Sequence, residues 1–255
     1  MKVTFLGTGT SQGVPVIGCD CEVCLSTDER DKRLRTSALL QSGDHNFVID
    51  CGPDFRQQML RAGVKTLDAI LLTHEHNDHV IGMDDVRPFN FSMGKDMPIY
   101  AAQRVEAELK KRFAYVFDSN PYPGAPKLQL RPISKDQPFE IEGVRFLPVE
   151  VCHGNLSVLG FRVGDFAYLT DMSGIAETEL QKLSGVRTLV VNALHHKPHY
   201  SHFNLEQAID FIGRVGPKQA YLTHISHRMG KYGEVILPPG IALAYDGLSF
   251  EVKED

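Results

Sequence analysis

The stretch LLTHEHNDHVIG, residues 71–82, limits the fold more than any other part of the chain. Four metal-ligating side chains, His74, His76, Asp78 and His79, fall within six positions where an apolar run ends. Imidazole and carboxylate donors together suit zinc, manganese or iron(II). Two histidines one residue apart at a strand end can converge on one ion, and Asp78 and His79 then face a second ion close by. The alternative, solvated loop histidines or a histidine capping the next helix, leaves the spacing unexplained.

One loop cannot supply two ions, so further ligands are expected at other strand ends. His153 follows RFLPVEVC, Asp171 follows DFAYLT and His224 follows KQAYLT, each just past an apolar run. Any one of them alone would read as a structural or surface residue. Their shared position, strand then ligand, makes them a set.

The remaining pattern fits this picture. KVTFLGTG, SALLQSG and NFVIDCGPD read as strands separated by glycine turns, and FRQQMLRAG reads as a helix with Phe55, Met59 and Leu60 on one face and Gly63 as its stop. LDAILLTH is a buried strand, QRVEAELKKRFAYVF a helix, and SNPYPGAPK a loop. FEIEGVRFLPVEV and VLGFRVGDFAYLTD read as strands. The last third alternates helix and strand before IALAYDGLSFEV, which reads as a hairpin turning at Asp246-Gly247. Strands that gather into runs and then alternate with helices predict an α/β chain with sheets covered by helices on their outer faces. With no linker or repeat, residues 1–255 are expected to form one domain. A hydrophobic fraction of 42% is enough for a sizeable core. The net charge of −5 gives no general attraction to phosphate backbones. Apolar runs fall far short of the ~20 residues that span a bilayer. MKVTFLGTGT lacks a basic-then-apolar leader, so the expected location is cytoplasmic, with no membrane partner.

In such a reducing compartment the close spacing of Cys19, Cys21 and Cys24 in GCDCEVC favours a metal over a disulfide. Three reduced thiols on a mobile loop are the alternative. Neither Cys51, at a strand end, nor Cys152, beside His153, is well placed as a fourth ligand.

The H-x-H-x-D-H loop, with later His, Asp and His at strand ends, resembles the metallo-β-lactamase fold hydrolases. FLGTGTSQGVP, VIDCGPD and YLTHISH are similar to the PhnP-like branch of phosphoribosyl cyclic phosphodiesterases and, more distantly, to the tRNA 3′-processing endonucleases. The resemblance covers nearly the whole chain and implies a four-layer αββα sandwich with a metal pair at one edge. It implies that His74, His76 and His153 hold one metal and that Asp78, His79 and His224 hold the other. Asp171 would bridge them, with Asp50 orienting the ligand loop from behind. Zinc, manganese or iron all fit these donors. Histidine can also complete a closed Cys₃His zinc site. His227 lies three residues beyond His224, and the resemblance gives the same pairing: a structural zinc on Cys19, Cys21, Cys24 and His227.

Two ions a few Å apart can share a water, lower its pKa and neutralise phosphodiester oxygens, which serves hydrolysis. In NALHHKPHYSHFNLEQA, Ser201-His202-Phe203 resembles the motif whose histidine protonates the leaving group, which places the general acid at His202. Asp78 is the other residue carried over to the catalytic centre. His195, His196 and His199 read as a solvated loop, and Asn204 as a helix N-cap. GTGTSQGVP could approach a phosphate or simply turn. Arg87 could meet substrate or pair with Asp84 or Asp85.

The endonuclease relatives carry a long basic arm between the residues matching His153 and Asp171. Here only GNLSVLGFRVGDFAYLT lies between them. The expected substrate is therefore a small phosphodiester, a cyclic ribose phosphate or short nucleotide, in preference to structured RNA. A homodimer is compatible with the resemblance. The alternatives are an RNA-processing nuclease of the same fold and a metal-binding sensor without turnover.

Overall fold

A computed structural model describes residues 1–254 of the chain. The first half builds one sheet: β1 (Lys2–Gly7), β2 (Ser37–Ser42), β3 (His45–Ile49), β4 (Ala69–Leu71), β5 (Met97–Ala102) and β6 (Leu128–Ile133). The second half builds another: β7 (Phe139–Ile141), β8 (Val144–His153), β9 (Leu156–Val163), β10 (Phe166–Tyr168), β11 (Thr188–Asn192), β12 (Gln219–Thr223) and β13 (Ile241–Leu243). A last strand, β14 (Ser249–Glu251), returns to pair with β1. The strand orders are β14-β1-β2-β3-β4-β5-β6 and β13-β12-β11-β10-β9-β8-β7.

The helices are α1 (Phe55–Ala62), α2 (Asn77–Val80), α3 (Arg87–Met93), α4 (Gln103–Arg112), α5 (Glu177–Leu180) and α6 (Leu205–Val215). Strand alternation decides which side chains meet which layer. Phe47, Ile49 and Val190 point inward and join Val3, Phe5, Phe146, Phe161, Phe166 and Tyr168 in a core between the sheets. Their neighbour Val48 points outward to Phe55, Met59, Phe89, Val105 and Leu109. On the far side, Leu189 and Val191 pack against Leu205, Phe211 and Ile212. Strands buried on both faces read as unbroken apolar runs. The result is the expected order of layers, helix, sheet, sheet, helix.

Two expectations fail. The C-terminal segment is not a hairpin: β13 pairs in parallel with β12 in the second sheet, while β14 pairs antiparallel with β1 in the first. The Asp246-Gly247 turn instead crosses between sheets. It is fixed by Asp246 accepting from the Thr8 hydroxyl at 2.8 Å and from the Leu34 N–H at 2.8 Å. Leu60 does not share the buried face of α1. Phe55, Gln58 and Met59 are buried, whereas Leu60 is 66% exposed. Gly63 does end α1, in the left-handed region at φ 66°.

Topology sets the site. β3, β4, β5 and β6 run parallel, as do β10, β11, β12 and β13, and β8 runs with β10 because each is antiparallel to β9. The C-terminal ends of β4, β8 and β12, and the turn after β10, therefore gather the ligand residues along one edge of the sandwich. No helix among the described residues is long and apolar enough to cross a membrane.

Candidate metal centre

His74 and His76 lie in the loop that follows β4, and Asp78 and His79 lie in the short helix α2. This segment is pinned to the end of β3 by backbone bonds from Cys51 N–H to His79 O (2.7 Å) and from Gly82 N–H to Cys51 O (2.9 Å). The crossing is so close that glycine is required on both sides. A Cβ on Gly52 would stand 2.1 Å from Asp78 O, and one on Gly82 would stand 2.1 Å from Gly52 O. From outside, Arg104 pairs with Glu75, and Arg112 donates to Glu75 O and to Asn77 Oδ1.

The edge assembles all seven expected ligand residues. His74, His76 and His153 present donor atoms within 4.8 Å of one another, as do Asp78, His79 and His224, and likewise His74, His79 and Asp171. Asp171 lies between the groups: it clusters with His74 and His79 and also with His153 and His202, its Oδ2 lies 3.3 Å from His79 Nε2, and its Oδ1 lies 3.2 Å from His224 Nε2. Asp78 Oδ2 lies 3.3 Å from His79 Nε2 and 3.8 Å from His224 Nε2.

Outer contacts aim the rings inward. His74 Nδ1 donates to the Thr73 hydroxyl (2.9 Å), and that hydroxyl donates to Asp50 (2.9 Å). Asp50, fully buried, also accepts from Thr73 N–H (2.9 Å) and from His79 Nδ1 (2.7 Å). His153 Nδ1 donates to the Ser201 carbonyl at 2.8 Å. This leaves His79 Nε2 and both His224 ring nitrogens buried without a partner, as is His202 Nδ1. Buried polar atoms are normally satisfied, so the orphaned Nε2 atoms of His79 and His224, both beside Asp171 and Asp78, fit a bound cation.

The charges agree. Burial alone would lower His79, but Asp171, Asp50 and Asp78 outweigh it and hold the imidazole well above its usual range. Burial would raise Asp171, yet His224, His79, His74 and His202 hold its carboxyl far below the usual range. Asp78 is held down in the same way by His79 and His224. Asp50 is pushed up by burial, against the pull of His79 and Thr73. A carboxylate field that keeps a proton on His79 will also favour a divalent ion in its place.

Three site residues, Asp50, Asp171 and His224, sit in the left-handed region at φ 64°, 57° and 53°. Such conformations cost about 1–3 kcal/mol each in non-glycine residues and collect at functional sites. Asn192 stabilises the turn after Asp171, with Oδ1 accepting from Met172 N–H (2.7 Å) and Nδ2 donating to Met172 O (3.0 Å). Nothing in the sequence marks Asn192, whereas Thr73 has a signal: LLTH, YLTD and YLTH each put a threonine immediately before a candidate ligand.

His202 lies on the open side of the cluster. Its ring stacks on His224 (4.8 Å) and meets His153 edge-on (4.6 Å), and its Nδ1 is 3.7 Å from Asp171 Oδ1. Burial and then His224 push it down to about 3, while Asp171 opposes them. Its donor atom also groups with His153 and Asp171, so its position suits either a ligand or a proton donor. Among the other loop histidines, His196 Nε2 donates to Met229 O (2.8 Å) and is structural. His195 is half-buried and His199 exposed. Asn204 caps α6, its side chain accepting from Gln207 N–H while Gln207 accepts from Asn204 N–H. Arg87 pairs with Asp84 and donates to Gly124 O, away from the cluster. The GTGT turn owes its glycines to backbone packing, since a Cβ on Gly7 would meet Arg35 O and one on Gly9 would meet Arg33 O.

A second cluster joins the N-terminal loop to the segment after His224. Cys19, Cys21 and Cys24 Sγ lie 3.2, 3.4 and 3.5 Å from His227 Nδ1. The Cys24 N–H beside it draws the Cys21 thiol down to about 6, whereas burial lifts Cys24 to about 11. Four N and S donors this close suit a closed tetrahedral site. A polar tether runs alongside: Asp31 accepts from the Ser26 hydroxyl (2.6 Å) and from Tyr232 N–H (2.7 Å).

Two packed sheets between helices, with a histidine and carboxylate cluster at the strand ends, define the architecture of the metallo-β-lactamase fold. A family model described as a beta-lactamase superfamily domain matches residues 45–225. The crystal structure of a diphosphatase from the PhnP family superposes with a TM-score of 0.92 at 41% identity, covering 99% of this chain and 98% of that one. The chain belongs to the β-lactamase superfamily and, within it, to the PhnP family. The short form of human tRNase Z shares the fold at 18% identity, with a TM-score of 0.70 over 99% of this chain and all of that one. A Porphyromonas gingivalis protein named octanoyltransferase is 45% identical over the whole of this chain, which spans 52% of it. The chain thus covers about half the length of the curated relatives it matches first.

Proposed function

We propose that this chain is a dinuclear metal-dependent phosphodiesterase acting on a small phosphodiester such as a cyclic ribose phosphate or a short nucleotide. The observation that carries the reading is Asp171, which lies within ligating reach of His74 and His153 from one set of donors and of His79 and His224 from the other. His74, His76 and His153 would hold one ion and Asp78, His79 and His224 the other, with Asp50 fixing His79 from behind. Zinc or manganese, or iron, suits these donors, and a structural zinc suits Cys19, Cys21, Cys24 and His227. Held by these residues, divalent ions would supply Lewis acidity to the phosphoryl oxygens and an acidified water.

The protein's own part is positioning and proton transfer. Asp171 sets the spacing of the two donor groups. His202, on the open side, protonates the departing alkoxide, a role commonly worth ~100- to 10,000-fold in rate. A small substrate is favoured over structured RNA because β9 and β10 consume the stretch between His153 and Asp171.

The name of the Porphyromonas relative raises acyl transfer as an alternative. The ligand set speaks for hydrolysis: the centre holds no thiol, Cys51 is fully buried, and Cys152 alternates to the opposite strand face from His153. Purified protein loaded with zinc or manganese should turn over bis(p-nitrophenyl) phosphate, 2′,3′-cyclic nucleotides or cyclic ribose phosphates and lose activity with chelator. Absence of metal-dependent turnover on all of them would favour a sensor or a different ester.

A further inference from the structure

A row of rings leads outward from the metal edge. His202 contacts His153 and His224 at its inner end, His199 lies 5.2 Å beyond it, and Tyr200 lies 5.1 Å from His199 at a tilt of 35°. Exposure rises along the row: the His202 side chain is 11% exposed, whereas Tyr200 is 85% exposed. Tyr200 nevertheless stays close to the site through its neighbours. Its neighbour Ser201 is buried and accepts from His153 Nδ1. Its ring edge rests on the β8–β9 turn, where a Cβ on Gly154 would stand 3.3 Å from Tyr200 Cε2. A large aromatic ring beside the candidate site, with most of its surface left to solvent, offers a stacking platform.

We infer that Tyr200 and His199 form a shelf that stacks on an aromatic ring attached to the ribose whose oxygen departs, so that the preferred substrates are phosphodiesters whose leaving oxygen belongs to a nucleoside. The inference rests on the phosphodiesterase reading, and in particular on His202 marking the leaving-group side. The shelf begins at His202 and runs away from the ligands, so a group on it extends the departing alcohol and not the attacked phosphorus. A planar base has the shape and π-face to lie on Tyr200, and such stacking tolerates any base.

The test compares two cyclic phosphates with the same ribose: 2′,3′-cyclic AMP, and the 2,3-cyclic phosphate of 1-O-methyl ribose. Tyr200→Ala should raise KM for the nucleotide about tenfold, leave kcat within about twofold, and leave the abasic ester unchanged. Tyr200→Phe should behave as the parent protein. Equal effects on both esters, or none on either, would overturn the shelf. Titration of AMP into the metal-loaded protein, followed by saturation-transfer NMR of the adenine protons, separates this inference from the activity. If neither ester is turned over, the phosphodiesterase reading fails, and the shelf stands or falls on whether Tyr200→Ala weakens adenine contact in that titration.

Discussion

Replacing Gly52 with alanine tests how the site is built, because the consequence follows from one distance. The new Cβ would lie 2.1 Å from Asp78 O and 3.1 Å from Asp78 C, where contacts under 3.0 Å essentially never occur. One backbone must therefore yield by roughly 1 Å, and the Asp78 segment is the one without a sheet behind it. Metal–ligand distances tolerate about 0.2 Å, and a displacement of 1 Å can cost about 100-fold in rate. The expected result is a folded protein, destabilised by about 1–3 kcal/mol from overpacking. It should bind the ion on the Asp78, His79 and His224 side at least tenfold more weakly and turn over bis(p-nitrophenyl) phosphate about 100-fold more slowly. Metal content after dialysis against metal buffers, measured by plasma mass spectrometry, reads the first effect, and steady-state kinetics the second. Gly174→Ala is the control, because its Cβ would meet only Cys152 Cβ at 4.0 Å. Parental metal affinity and turnover in folded Gly52→Ala would refute the claim that this crossing positions Asp78.

Other outcomes follow from the same contacts. His202→Ala should keep its full metal content yet lose ~100- to 10,000-fold in kcat on alkyl esters and much less on activated aryl esters; loss of an ion would make His202 a ligand instead. Asp50→Asn removes the carboxylate that holds His79 Nδ1 and should weaken metal binding by about 10- to 100-fold, measured by competition with a chelating dye. Cys21→Ser should release one zinc per chain and lower the melting temperature, while the Asp31 tether keeps the loop attached; unchanged zinc content would remove the clip. Gly213→Ala, in the interior of α6 with nothing within 4 Å of the new Cβ, should stabilise the chain by about 0.5–1 kcal/mol in urea unfolding.

The candidate ligands were legible because each follows a largely apolar strand: β4 and β10 are buried throughout, and β8 and β12 alternate between buried and more open positions. The same alternation carried the layer order, since Phe47 and Ile49 face one core and Val48 the other. What escaped was whatever depends on two distant backbones meeting. Nothing near Asp246 tells a hairpin turn from a crossover between sheets, because the Thr8 and Leu34 partners are more than 200 residues away. The left-handed geometry of Asp50, Asp171 and His224 is equally silent, since only glycine advertises it. Leu60 misled because a short helix offers too few turns to separate its buried stripe from its flank.

His74, His76, Asp78 and His79 hang from the first sheet, and His153, Asp171, His202 and His224 from the second. Any ion gripped by members of both sets can be retained only while the two halves of the sandwich stay docked. Its occupancy therefore enters the folding equilibrium itself, adding about 4 kcal/mol when free metal stands a thousandfold above its dissociation constant. Chelation would then do more than stop turnover. It would speed the parting of the halves, raise amide exchange at the inner ends of β4 and β12, and open the chain to proteases, making metal supply a control on how long each molecule survives.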